Sequence, residues 1–211
     1  MRAIFDVGAN DGSHGIGFAR KHPDITVYAF EPTPRLVDVI KSRIRDEGIR
    51  NLVVVPVAVS DIEGTLKFNV AGKGDWGTSS LLEFSDGLEL TWPGRKDLVV
   101  TEVIDVTAIR LDRFIRENGI TSIEYLHCDT QGTDLKVLAS LGEYIGIVRR
   151  GVIESATSRD VTLYKGQHTL EDVVLFFLQN ALEVERIKGS PKNNFNEINV
   201  YFRQRVRRAA A

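Results

Sequence analysis

With 211 residues, 43% hydrophobic and 27% charged, the chain has the make-up of one globular domain with a full core, which excludes disordered and collagen-like classes. Its formal net charge of −2 gives no overall pull toward nucleic acid or an anionic membrane. A lone cysteine, Cys128, excludes an internal disulfide and predicts a reducing compartment, and the longest apolar run, residues 52–59, is far too short to span a bilayer. No cationic segment leads into an apolar core at the start, so no signal peptide is expected and the predicted location is the cytoplasm. The closing alanines 209–211 look like a cloning remnant, which leaves residues 1–208 as a single expected domain.

In chain order, residues 1–6 read as a short strand, and the turn Val7-Gly-Ala-Asn-Asp-Gly12 follows at once. A helix-like run starts near Ser13, and Thr26–Phe30 is a second strand ending in Glu31-Pro32. Pro34 suits the first position of a helix whose Leu36, Val37, Ile40 and Ile44 share one face, and Gly48 stops it. Residues 52–59 form a continuous apolar run, as expected of a strand covered on both faces. Leu66, Phe68 and Val70 then alternate with polar residues, so residues 60–70 predict a β-hairpin arm with 99–106 as its partner. Between them, residues 71–98 are a long loop rich in Gly, Ser and Asp that carries Trp76 and Trp92, a length typical of either a functional lid or a disordered segment, with the lid the reading preferred.

Residues 110–118 predict a short helix with Leu111, Phe114 and Ile115 inward. Residues 123–129 are the next buried strand, a helix carries Leu135, Val137, Leu138 and Leu141, and 147–154 are a further strand. Thr169 opens a helix reaching residue 182, with Asp172 placed for a capping box, and residues 183–187 and 198–203 close the sheet as a hairpin. Alternating strands and helices predict an α/β fold, a parallel sheet with helices on both faces.

A strand, a Gly-rich turn, a helix and an acid at the tip of the next strand make a nucleoside-binding arrangement. A dinucleotide site needs G-x-G-x-x-G under a pyrophosphate, whereas this turn is Gly8-x-x-x-Gly12 flanked by Asp6 and Asp11. Two carboxylates repel a pyrophosphate but suit a ligand with an ammonium and a sulfonium, which describes S-adenosylmethionine. Asp6, Gly8, Ala9, Asn10, Asp11 and Gly12 are therefore candidates for the amino-acid end of that cofactor, and Glu31 for its ribose. Ala58 and Val59 are placed to flank the adenine; Ser60 or Asp61 either bond its amino group or simply turn the chain.

Asp6-Val-Gly-Ala-Asn-Asp-Gly12, Phe30-Glu-Pro32, Ala58-Val-Ser-Asp61, Thr78-Ser-Ser80, His127-Cys-Asp-Thr-Gln-Gly132 and Val152-Ile-Glu154 occur in order. This set resembles the FkbM-type S-adenosylmethionine-dependent methyltransferases over nearly the whole chain. The resemblance implies the class I, Rossmann-like seven-stranded sheet in the order 3-2-1-4-5-7-6 with strand 7 antiparallel. It also implies O-methylation of a hydroxyl on a small molecule, sugar or secondary metabolite. The chain departs from the family pattern at His127, where Lys is frequent, and at Asp134, where Glu is.

Methyl transfer to an alcohol needs alignment and a way to handle the hydroxyl proton, through a base or a metal. Asp129 ends a central strand at the edge where such sheets bind ligands, next to both cofactor and acceptor, and Glu154 ends the neighbouring strand. His127 faces the same side as Asp129, as a base or as a core histidine; His14 either borders the site or, by preference, lies on a solvated helix face, and His168 reads as loop surface. Asp129, Asp134 and Glu154 could hold Mg²⁺, or Asp134 could only favour its helix N-terminus, and the metal-free route is preferred. Tyr164 and Lys165 are candidates for acceptor contact. A basic tail of Arg203, Arg205, Arg207 and Arg208 leaves RNA or protein methylation as a rival, although Asp129-Thr-Gln-Gly132 is unlike the Pro-rich signature of base methylation. A non-catalytic nucleoside-binding domain is the other rival, disfavoured by retention of both Asp129 and Glu154. Nucleic acid and membrane partners are not expected, and the sequence leaves the oligomeric state open.

Overall fold

The computed structural model of the protein describes residues 1–72 and 76–205. Part of the 71–98 segment, Arg207, Arg208 and the terminal alanines lie outside the described residues. The elements are β1 (Arg2–Val7), α1 (Ser13–Lys21), β2 (Thr26–Phe30), α2 (Pro34–Asp46), β3 (Leu52–Val55), β4 (Ala58–Val59), β5 (Gly64–Ala71), α3 (Leu88–Thr91), β6 (Val100–Ile109), α4 (Leu111–Glu117), β7 (Ser122–Cys128), α5 (Asp134–Ala139), β8 (Arg150–Ala156), α6 (Leu170–Gln179), β9 (Leu182–Gly189) and β10 (Glu197–Gln204).

Among the described residues, seven strands form the main sheet in the order β3-β2-β1-β7-β8-β10-β9. Counted within that sheet, the order is 3-2-1-4-5-7-6, and β10 runs antiparallel to both β8 and β9. The two faces are covered unequally. Leu111, Ile115, Val137, Leu138, Val173 and Phe177 of α4, α5 and α6 pack with Phe5, Phe30, Leu126 and Phe202 on one face. Phe5 sits edge-on to Tyr28, Phe30 and Phe114, with centroids 5.9, 5.3 and 6.0 Å away. On the other face Ile16, Ala19 and Ile40 of α1 and α2 cover Ile4, Val27, Ala29 and Leu52. That smaller core reaches β1, β2 and β3, and beyond it β7, β8 and β10 border a trough.

The single strand expected over residues 52–59 is two. Pro56 has no N–H for a ladder, so β3 ends at Val55 on the sheet edge and β4 pairs with β6 elsewhere. Val53 is consequently exposed rather than covered. The predicted arm exists: β5 and β6 pair antiparallel from Gly64↔Ala108 to Ala71↔Val100, and β4 joins them in a three-stranded sheet. The segment after it is not the open loop expected. Ser80 bridges Asn69, α3 forms, and Trp92 is buried with Leu163 and Tyr164. Glu154 also lies two residues inside β8, opposite Asn199, because Ser155 and Ala156 go on pairing with β10. The predicted capping box is present at Thr169, whose N–H donates to the Asp172 carboxylate at 2.9 Å.

Gly8 sets the distance between the first turn and β7. It has φ +80°, and a Cβ there would stand 1.9 Å from the Asp129 carbonyl oxygen. Gly48 shares the left-handed backbone (φ +65°) but has open space around it. Gly8→Ala should therefore lower the melting temperature well beyond Gly48→Ala, which bears only the left-handed penalty of about 1–2 kcal/mol. Equal losses by calorimetry would mean that the turn can back away from β7.

Candidate functional site

The turn after β1 is held by its own backbone. The N–H groups of Gly8 and Ala9 both donate to Phe30 O, at 3.1 and 3.0 Å, and Gly12 donates to Ala9 O. Asn10 adopts φ +50°, and its N–H donates to Glu31 Oε2 at 2.9 Å. Glu31 Oε1 accepts the Thr33 N–H at 2.8 Å, so this buried carboxylate clamps the two loops that flank it. Burial pushes its pKa up, against the pull of the Thr33 and Asn10 bonds. Asp11 faces outward, accepting from the N–H and hydroxyl of Ser13 and pairing with Arg43 at 3.0 Å. Burial opposes its charge, but Ser13 and Arg43 hold its pKa below the ordinary value.

A narrow cavity of about 90 Å³ opens here, at the carboxyl end of the parallel strands. Gly8, Asn10, Glu31, Ala58, Val59 and Asp129 line it, with Phe30, Leu36, Phe68 and Leu81 as apolar walls. Asp6, Ala9, Asp11, Gly12 and Ser60 do not line it. Small-ligand cavities run to about 300–1,000 Å³, so a nucleoside needs its covering residues, Gly77, Ser79 and Leu81, to give way.

The trough on the other side of Asp129 has about 480 Å³. Its sides carry His14, Phe18, Tyr125, His127, Glu154 and Tyr201, and Asp129 borders both spaces. His127 Nδ1 lies 2.9 Å from Asp6 Oδ1, and the rings of His127 and His14 are 4.1 Å apart. Burial works against a charge on His127, but the Asp6 bond and charge, with Asp129 and Asp134, hold its pKa above the ordinary imidazole value.

Gln131 was not singled out in the sequence, yet it joins the acids. Its backbone is left-handed at φ +55°, and Ser80 donates to its carbonyl at 2.6 Å. Its amide donates to Asp129 Oδ1 at 2.6 Å and lies 3.3 Å from Glu154 Oε2, while its Oε1 accepts from the Tyr164 hydroxyl at 2.7 Å. The available signal was its place beside Gly132 in a turn directly after a central strand. Tyr164 is fully buried, and Lys165 pairs with Asp86 and Glu83 on the surface, so neither borders the trough. His168, expected at the surface, is buried with its ring nitrogens 3.2 and 2.8 Å from the carbonyls of Gly132 and Glu154.

The acids share a poorly solvated region. Asp134 is fully buried; its Oδ1 accepts the Glu154 N–H at 3.1 Å and its Oδ2 the Thr130 hydroxyl at 3.1 Å. Burial, with Asp129 nearby, raises its pKa to about 6. Burial, then the charges of Asp129, Glu197 and Asp134, pushes Glu154 well above the carboxylate range. Asp129 is raised by burial against the opposing effects of His127 and Gln131. Glu197, across the trough on β10, reaches about 7, again through burial first.

Comparison with known proteins concerns the family and the fold. The profile of the Methyltransferase FkbM domain matches residues 6–208. The chain is 30% identical over 179 residues to the 2-O-methyltransferase NoeI of Sinorhizobium fredii, covering 81% of this chain and 69% of that one. It is 28% identical over 164 residues to the 31-O-demethyl-FK506 methyltransferase FkbM of Streptomyces tacrolimicus, covering 65% of this chain and 58% of that one. Among solved structures, M. capricolum TrmK, in complex with S-adenosyl-homocysteine, superposes with TM-score 0.54 at 12% identity, over 96% of this chain and 62% of that one. The magnesium protoporphyrin IX methyltransferase of Synechocystis PCC 6803 does so with TM-score 0.50 at 11% identity, over 95% of this chain and 73% of that one. These two likenesses concern the fold.

The raised acids make stability depend on pH. Glu197 titrates near 7 in the fold against an ordinary 4.5, so the folded chain binds more protons between those values and stability falls as pH rises through them. Glu197→Gln should flatten that fall. Wild type should lose at least roughly 2–4 °C of melting temperature between about pH 5 and pH 7.5, the size of a 1 kcal/mol change at this length. An identical loss in the variant would place the unfavourable charge elsewhere.

Proposed function

The chain belongs to the FkbM family of S-adenosylmethionine-dependent methyltransferases, and we propose that it methylates a hydroxyl group of a small molecule or sugar. One observation supports this reading above the others: Asp129 borders both the narrow cavity and the trough. With cofactor on one side and acceptor on the other, that carboxylate stands where the methyl group changes hands.

Asn10, Glu31 and the close-approach glycine Gly8 fit the cofactor, with Ala58 and Val59 against its adenine. When bound, S-adenosylmethionine supplies a methyl group activated on a sulfonium. Asp129, held by Gln131, orients the acceptor hydroxyl, and Glu154 and Glu197 line the acceptor side. The carboxyl-rich trough favours a neutral or cationic acceptor over an anionic one. His127 is the proton acceptor in this scheme, and no metal is needed. The trio Asp129, Asp134 and Glu154 fits Mg²⁺ poorly, because both Asp134 oxygens already accept bonds from Glu154 N–H and Thr130.

The test uses S-adenosylmethionine labelled on its methyl group, with a panel of monosaccharides and macrolide alcohols beside transcribed RNA. Label should pass to an alcohol, EDTA should leave the rate unchanged, and Asp129→Asn should cut kcat by about 10²-fold or more. Label passing to RNA alone would overturn the acceptor assignment, and loss of turnover in EDTA would restore the metal route.

Glu31→Ala separates two uses of one side chain. Losing a charge-assisted bond of about 1.5–3 kcal/mol should weaken S-adenosylhomocysteine at least roughly tenfold. Because Glu31 also clamps Asn10 and Thr33, the melting temperature should drop without ligand as well. Calorimetry showing full affinity would leave the clamp as its only role.

A further inference from the structure

We propose that Asp6 is the positioning residue for His127: it fixes the imidazole with Nδ1–H toward itself and the bare Nε2 toward the trough. This rests on the hydroxyl-methylation reading for its chemistry but on the structure alone for its geometry.

Asp6 lies on β1 beside His127 on β7, the two being register partners in a parallel ladder. Its side chain is wholly buried and lines neither cavity, while His127 retains 13% exposure and borders the trough. The contact at 2.9 Å runs from Nδ1 to Oδ1. A carboxylate can only accept, so Nδ1 carries the proton and Nε2 is left to accept one. Asp6 Oδ2 is buried without a hydrogen-bond partner, so His127 is the side chain that offsets the burial of this acid. Such an arrangement of buried acid, imidazole and open nitrogen sets a tautomer and an orientation for general-base work.

The other groups facing His127 are His14 from α1, Asp129 after β7, Asp134 of α5 and, across the trough, Glu154, Lys188 and Glu197. The His14 ring, tilted at 47° with its centroid 4.1 Å away, covers one side of the imidazole, which leaves the trough as the approach for an acceptor. In the reaction His127 Nε2 takes the hydroxyl proton as the oxygen bonds to the methyl carbon and the carbon–sulfur pair passes to sulfur. Asp6 receives no proton and serves by holding the imidazolium.

Nitrogen-15 spectra of the histidines in the full chain read the tautomer without any acceptor. His127 should be Nδ1-protonated in wild type, and Asp6→Asn should change that signature. At a pH where the imidazole is neutral, wild-type Nε2 protonation, or identical spectra in the variant, overturns the proposal. On whichever alcohol the native enzyme methylates, Asp6→Asn should lower kcat at least roughly tenfold, part of the range for a displaced base, with acceptor KM and S-adenosylhomocysteine affinity within about twofold. A matching loss of cofactor affinity would overturn it by assigning Asp6 to the cofactor. His127→Gln approaches the same pair from its exposed side, should Asp6→Asn fail to fold, and must give the same kcat loss. Unchanged kcat in His127→Gln overturns the proposal. A native tautomer with no alcohol methylated would instead remove the hydroxyl reading and with it the base role, while the Asp6–His127 geometry would stand.

Discussion

Four carboxyl groups, Asp129, Asp134, Glu154 and Glu197, gather where β7, α5, β8 and β10 meet; Asp134 and Glu197 are buried and Asp129 and Glu154 half-buried, and the surroundings are built to tolerate them. Isolated buried charges are very costly, so each acid must be neutralised, bonded or answered by a cation. Asp134 is answered by the Glu154 N–H and the Thr130 hydroxyl, which tie β7, α5 and β8 into one unit. Asp129 is answered by Gln131, whose strained backbone is held in turn by Ser80 and whose amide is oriented by Tyr164. Thus the segment that follows β5, the connection after β8 and the turn after β7 converge on one residue. Strain of this kind persists only where the surroundings over-determine it, and its place in the lining of the narrow cavity, bonded to Asp129, is consistent with a functional site.

The same acids explain how the site suits its proposed ligand. A sulfonium and an ammonium entering a region of raised carboxyl pKa values provide the missing positive charge and favour ionisation there. In the proposed reading, binding and acid ionisation are linked. Asp6 stands apart from this group. It lies below the turn rather than in the cavity, and its partner is a histidine instead of a ligand.

The unequal covering of the sheet leaves the trough open. Three helices and a large aromatic core cover one face. On the other, α1 reaches β7 through His14 and Phe18, and the trough lies along β7, β8 and β10 with its aromatic side chains Phe18, Tyr125 and Tyr201. The cover over the cofactor side comes from the arm and the residues after it, packed through Trp92, Leu163 and Tyr164. A stretch that reads as a loop is thus anchored by a small apolar core of its own.

The sequence by itself determined the strand–turn–helix frame. Alternating apolar runs, Pro34, the Thr169 capping box and the left-handed glycines are local signals, and the chain folded where they pointed. It also placed Glu31 and Asp129 at strand ends, because strand ends are legible from periodicity. The ordered motifs that resemble one methyltransferase family made the strand order legible too. What pairing does across the chain was decided by tertiary structure alone. Asp6 and His127 are 121 residues apart, and only the β1–β7 register brings them together. Pro56 diverted a seemingly continuous strand into a second sheet, and Gln131, Tyr164 and Ser80 met because three separate connections close over one pocket. Side-chain period and local propensity report which face a residue takes on its own element; they carry no information about which distant element will lie opposite.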